Sequence, residues 1–129
     1  MGGRSTLKTR LSALDGVFSK WVRYSHPPVC VTCGAMHNRS ELQAGHFWKR
    51  QHQATRFDPC NVHPQCVRCN KYRGGAEAEH AAYILRTYGK EVFDELEMRH
   101  RQIKKWTREE VESMILYYKQ QVSELTSAV

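Results

Sequence analysis

A chain of 129 residues carrying 20 Lys and Arg against 13 Asp and Glu, a net +7 at neutral pH, is long enough for one modest domain of the common ~100–150 residue size, whose core would profit from a staple. No apolar run approaches the ~20 residues needed to span a bilayer, and no charged start leads into an apolar signal segment. Those absences exclude a membrane span and predict a soluble, intracellular protein. Met1-Gly2 with Thr6 matches a short acylation pattern, but the pattern is loose and is set aside.

From Leu7 to Val22 the apolar residues Leu7, Leu11, Leu14, Phe18, Trp21 and Val22 recur at helical spacing, with Arg4, Lys8, Arg10, Lys20 and Arg23 turned away. This pattern predicts an amphipathic helix over 5–25 that ends before Pro27-Pro28. Val29 to Asn70 is short-ranged: a C-x-x-C pair, Gly34, a strand around Leu42 to Trp48, a polar loop, Pro59, Pro64 and a second C-x-x-C pair. After Gly74-Gly75 helical spacing returns. One helix is expected over Ala76 to Tyr88, capped by Gly89, and another over Lys90 to Lys105, with Val92, Leu96, Arg99 and Ile103 as its stripe. The last helix starts at Thr107, whose hydroxyl can cap while Glu110 reaches back, and runs through Val111, Met114, Ile115, Tyr118, Val122 and Leu125. Its spacing suits either a partner helix, as in a homodimer, or packing within its own domain.

Five cysteines are an odd number, and four of them, Cys30, Cys33, Cys66 and Cys69, form the two C-x-x-C pairs. The two-residue gap lets both thiolates of a pair turn toward one ion, and four soft thiolates suit tetrahedral Zn(II) rather than disulfides in a reducing compartment. A lone C-x-x-C could serve redox chemistry, but two pairs without a surrounding βαβ pattern point to zinc. Four cysteines leave no open coordination position, so this zinc is structural. Cys60 is left over as a buried filler or free thiol.

Between Gly45 and Gly75 stand six cations, Lys49, Arg50, Arg56, Arg68, Lys71 and Arg73, and one acid, Asp58, whereas Trp106 to Val129 is slightly acidic. A polyanion such as DNA is the natural partner for the middle of the chain. Around the cysteine pairs lie Ala44-Gly45-His46, Asn61 in Cys60-Asn61-Val62-His63, and Asn70 directly after Cys69. In this order they resemble the motif of the HNH (ββα-metal) endonuclease superfamily. The Cys-x-x-Cys-Asn ending is similar to that of the junction-resolving endonuclease VII family of T-even phages. The longer run, Ala-Gly-His-Phe through Arg56-Phe57, Asn61 to Cys66 and Cys69-Asn70-Lys71-Tyr72, most closely resembles the NinG (Rap) recombination proteins of lambdoid phages. The likeness covers Val29 to Gly75.

The resemblance implies an α+β fold in one domain over 1–129: an N-terminal helix over 5–25, a small ββα-metal, treble-clef-like zinc core over 29–75, and C-terminal helices over 76–126. It further implies a phage- or prophage-encoded enzyme of the host cytoplasm that hydrolyses phosphodiester bonds in Holliday junctions or other branched DNA during recombination. His46, Asn61 and Asn70 would be catalytic. His46 would activate water as general base, its tautomer fixed by the Asn61 amide or a backbone carbonyl, while a Mg(II) or Mn(II) ion held partly by Asn70 relieves charge on the phosphate. Many relatives of that superfamily carry an Asp just before the His, where this chain has Gly45. A single Asn is a weak ligand set for Mg(II). Asp58, His63 and the phosphate are the candidates to help, with His63 first because it lies two residues past Asn61. Alternatively His46 itself binds the metal and the base is unassigned. Two other functions compete with the nuclease: a non-catalytic zinc module that binds nucleic acid as an accessory, and an interaction adaptor working through the last helix.

Overall fold

The computed structural model of the chain describes residues 5–127, so the Met1-Gly2 end of the acylation pattern lies outside the described residues. Helix α1 (Leu7–Tyr24) opens on Thr6, whose side chain accepts the Thr9 backbone N–H at 3.1 Å. It buries Leu14, Phe18 and Val22. Strands β1 (Leu42–His46) and β2 (Val62–Cys66) pair antiparallel, and a wide π-type turn over Arg68–Tyr72 follows β2 directly. Helices α2 (Glu77–Tyr88), α3 (Lys90–His100) and α4 (Arg108–Ser127) complete a mixed α+β fold. Among the described residues no helix is long and apolar enough to cross a membrane.

Two cores hold these elements. In the larger, Leu14, Phe18 and Val22 of α1 meet Val111, Ile115 and Tyr118 of α4, with Phe57 and Val62 closing the cluster. Phe18 packs edge-on against both Phe57 and Tyr118. The smaller gathers Cys30, Leu42, Cys66, Cys69 and Ala76. The stripe of α4 is therefore spent on α1, the second of the two roles its spacing allowed. Its start follows the capping box: Glu110 N–H donates to the Thr107 hydroxyl at 3.2 Å and Thr107 N–H to the Glu110 carboxylate at 2.9 Å.

Helix α3 corrects the expectation that it reaches Lys105, because it stops at His100 and leaves Ile103 92% exposed. The chain breaks there to carry Trp106 onto Phe57, ring centroids 5.4 Å apart, and a continued helix could not do that. α3 instead covers the loop between the strands. His100 stacks flat on Trp48 at 3.5 Å, and Arg99 pairs with Asp58.

β2 is buried along its whole length, and with only one neighbouring strand it tolerates Pro64, which has no N–H to offer. Residues opposite one another share a face and successive residues alternate. His46 lies opposite Val62, on the α1 face, and Gly45 lies opposite His63, on the other. There the His63 ring is hydrogen-bonded to His80 at 2.9 Å and to the Tyr88 hydroxyl at 2.9 Å, both from α2, with His26 packed edge-on. The reversal from the π-type turn into α2 runs through positive φ at Gly74, Gly75 and Ala76. Gly75 is also where a Cβ would lie 2.4 Å from the Lys49 ammonium.

Burial drives the pKa of His63 down to about 2, helped by the charges His80 and His26 would carry, and that of His80 down to about 4, helped by Lys49. Both rings are neutral when folded, whereas the unfolded chain takes up their protons below about pH 6.5. The stability this contributes is full above that pH and is lost as the pH falls toward the folded values, about 2 kcal/mol per ring at pH 5. Urea unfolding should accordingly show a steep loss between pH 7 and 5 that is shallower in His80→Gln, and an equal slope in both proteins would contradict the assignment.

Candidate functional site

The first functional constellation is the cysteine cluster. Cys30 and Cys33 come from the loop after α1, Cys66 ends β2, and Cys69 lies on the π-type turn, yet their four sulfurs all fall within 4.8 Å of one another. Cys33 and Cys66 are 3.9 Å apart, close to the about 3.8 Å spacing that four thiolates at about 2.3 Å from a tetrahedral zinc require. The four residues form a site that can hold a zinc ion. Burial pushes the Cys30 thiol up, but hydrogen bonds from the Thr32 hydroxyl and from the backbone at Cys66 and Cys33 outweigh it and bring the thiol down to about 6. A thiolate is the form that ligates metal. Cys60 is half-buried and stands outside the cluster, its thiol pushed up by burial and then by Asp58.

The second is a cleft of about 980 Å³ on the α1 face of the hairpin. α1 lines it with Asp15, Ser19 and Arg23, β1 with Ala44 and His46, and the following segments with Lys49, Arg50 and Asn70. His46 and Asn70, 24 positions apart in the chain, thus open on the same space. The His46 Nε2 lies 2.9 Å from the Arg56 carbonyl. A carbonyl only accepts, so Nε2 carries the proton and a neutral ring keeps its lone pair on Nδ1. Burial lowers the His46 pKa below the ordinary imidazole value, against the opposing pull of the Arg56 carbonyl and the Asp15 carboxylate. The ring is therefore a neutral proton acceptor at physiological pH. Asn70 donates its Nδ2 to Gln43 Oε1 at 2.8 Å, and among the described residues nothing is hydrogen-bonded to its Oδ1. Lys49 Nζ bridges the carbonyls of His46 and Gly74 at 3.3 and 3.4 Å and ties the end of β1 to the turn beyond Asn70.

Other residues singled out in the sequence lie elsewhere. Asn61 is fully buried, and its amide clamps the loop between the strands. Oδ1 accepts the Trp48 N–H at 2.9 Å, while Nδ2 donates to the Trp48 and Thr55 carbonyls at 3.0 Å each. The tautomer of His46 is fixed by a backbone carbonyl, not by Asn61. His63 is corrected as a ligand companion of Asn70, because the strand register turns it to the opposite face, where His80 and Tyr88 occupy both ring nitrogens. Asp58 accepts the Cys60 N–H and pairs with Arg99, and it does not line the cleft.

The six cations divide as well. Lys49 and Arg50 line the cleft, and Arg68 and Lys71 are exposed on the π-type turn. Arg73 is exposed and paired with Glu79, 3.7 Å from the Cys69 sulfur. Arg56 is turned inward onto Asp15 with its side chain only 13% exposed, so its guanidinium is not a free phosphate contact. Asp15, Ser19, Arg23 and Gln43 are cleft residues that the sequence reading passed over. The first three recur every fourth residue on one helical face, a signal that solvated helix surfaces share.

Two outcomes follow from this geometry. Stripping metal with a chelator should abolish the native circular dichroism, since structural zinc is worth ~10–16 kcal/mol in small modules, and an unchanged melting profile would refute a zinc-held fold. Asn61→Ala takes the side-chain partners from the Trp48 N–H and the Trp48 carbonyl, at about 1–3 kcal/mol for each such group left buried and unpaired. Its midpoint in urea should drop accordingly, and a wild-type midpoint would remove the clamp from the account.

A family model described as "Bacteriophage Lambda NinG protein" matches residues 6–127. The protein named ninG of Escherichia phage 933W is 31% identical over 102 residues, covering 77% of this chain and 49% of the relative. That of Escherichia phage lambda is 30% identical over 102 residues, with 77% and 48% covered, and that of Salmonella phage P22 is 31% identical over 99 residues, with 74% and 47% covered. The chain spans about half the length of these curated relatives. No solved structure matches it. With nearly every described residue inside the family match, the chain belongs to the family of the bacteriophage lambda NinG protein.

Proposed function

We propose that the chain carries a metal-dependent DNA endonuclease site of the HNH, ββα-metal type that hydrolyses phosphodiester bonds in branched DNA, Holliday junctions among them, during phage recombination in the host cytoplasm. The observation that carries the reading is His46: a neutral imidazole, held as the Nε2–H tautomer by the Arg56 carbonyl, on the wall of a cleft that also presents Asn70 and the cations Arg23, Lys49 and Arg50. The hairpin of β1 and β2 followed by a helical turn bearing Asn70 supports the same reading.

In this mechanism Nδ1 of His46 takes the proton of the attacking water, and the Arg56 carbonyl steadies the imidazolium that results. Arg23, Lys49 and Arg50 draw the phosphodiester into the cleft. A Mg(II) or Mn(II) ion, when bound, would relieve charge on the phosphate and the departing oxygen. Among the described residues, the carboxylate lining the cleft is that of Asp15, already paired with Arg56 and Arg50, which leaves Asn70 Oδ1 as an amide oxygen available to a hard cation there. With Asn70 as its side-chain donor, such an ion would be held weakly by the protein alone and would depend on the phosphate for the rest of its binding. Paired cuts on a symmetric junction suit a dimer. With its buried stripe on α1, α4 would meet a second copy through exposed apolar side chains such as Leu116 and Tyr117.

Incubation of the zinc-loaded protein with a synthetic four-way junction and Mg(II) or Mn(II) should yield discrete product strands, and His46→Ala should slow the reaction by roughly 10²–10⁴-fold with its melting temperature nearly unchanged. Salt-sensitive binding with no product from any branched or linear DNA at any metal concentration would replace the nuclease with a zinc-containing nucleic-acid-binding accessory.

A further inference from the structure

Asp15 sits in the middle of the 18-residue α1, where a short carboxylate is a poor helix former and is too far from either end to cap it or to answer its dipole. Its side chain is 17% exposed and lies on the cleft. Arg56 closes a fork on it: Nε donates to Oδ1 at 3.1 Å and Nη2 donates to Oδ2. The third arm of the same guanidinium, Nη1, donates to Gln53 Oε1 at 3.1 Å. The carbonyl of that same Arg56 is the group that accepts Nε2–H of His46. One residue therefore has its side chain anchored to a helix and its backbone anchored to the ring. The preceding peptide is held separately, by Asn61 Nδ2 on the Thr55 carbonyl. Between the strands runs a loop whose regular structure is a single 3-10 turn, Gln53–Thr55, which by itself does not fix where the next carbonyl points. Arg50 also reaches Asp15, at 3.4 Å, but it is 63% exposed, and such a contact is weak.

We infer that Asp15 is a positioning residue for His46: through its forked pair with Arg56 it fixes the carbonyl that holds the ring in one tautomer and one orientation. The inference rests on His46 being the base proposed above, yet its geometric half stands independently of any activity. A carboxylate paired in a fork sets the angle as well as the distance of its partner. Residues that orient a reactive group in this way usually cost about 10–100-fold in activity when lost. A plain strut between α1 and the loop would instead cost stability alone.

The two roles are separated by zinc-loaded Asp15→Asn and Arg56→Lys, the latter keeping the charge and the carbonyl while offering one point of contact instead of a fork. Long-range ¹H–¹⁵N spectra of the histidine rings, recorded without DNA, should show His46 as a single Nε2–H tautomer in the parent protein and as an exchanging mixture in both variants. On the junction substrate, kcat should fall by roughly 10–100-fold with KM little changed. His46 signals identical to the parent in both folded variants overturn the inference, whatever the rates do. A parent protein that cuts nothing sinks the nuclease reading, and the ring spectra then decide the positioning role alone.

Discussion

Four sulfurs drawn to one point from segments 33 residues apart impose the constraint on which the middle of the molecule rests. Four thiolates gathered in one mostly buried corner would repel one another and lose water, a cost that a zinc ion held between them would offset. That centre fastens the loop after α1 to the end of β2 and to the π-type turn, where few large apolar side chains are available. With β2 fixed at Cys66, its pairing with β1 sets the register, and the register decides which residues face α1. His46 reaches the cleft because it lies opposite Val62, whose side chain belongs to the α1–α4 core.

The second layer of organisation is polar. The loop between the strands has little regular structure, but each turn of it is pinned: Trp48 and Thr55 by the Asn61 amide, Asp58 by Arg99, Arg56 by Asp15. Buried amides and ion pairs with all partners in place specify one conformation where packing alone would allow several. α1 therefore has two duties. Its apolar face completes the main core with α4, and a polar face of Asp15, Ser19 and Arg23 forms a wall of the cleft opposite the hairpin.

Features written in short-range spacing could be read directly from the chain. The C-x-x-C pairs, the apolar recurrence of α1, and the Thr107–Glu110 cap depend on residues within one or two turns of each other, and each has the structure its spacing implies. His46 and Asn70 line one cleft although 24 positions separate them. His63 was misplaced because a strand alternates every residue: it faces away from Val62 and hence from His46, and only the pairing with Gly45 reveals that. Asp15 and Arg56 stand 41 residues apart, and no local pattern announces that an apparently free arginine is buried in a fork. The early end of α3 was hidden for a similar reason, since the pull of Trp106 toward Phe57 is a long-range event.

Gly45 shows how tightly the far side of the hairpin is filled. A Cβ there would stand 1.7 Å from Oε1 and 2.5 Å from Cδ of Gln65. That side chain is itself immobilised, fully buried and donating to the Gly75 carbonyl at 2.8 Å and the Thr32 hydroxyl at 3.2 Å. An aspartate beside the histidine and a glutamine at 65 exclude one another in this packing. Any lineage passing between the two arrangements must change both sites, with the glutamine yielding first, so the two positions should behave as an epistatic pair whose single intermediates differ sharply in fitness according to the order of substitution.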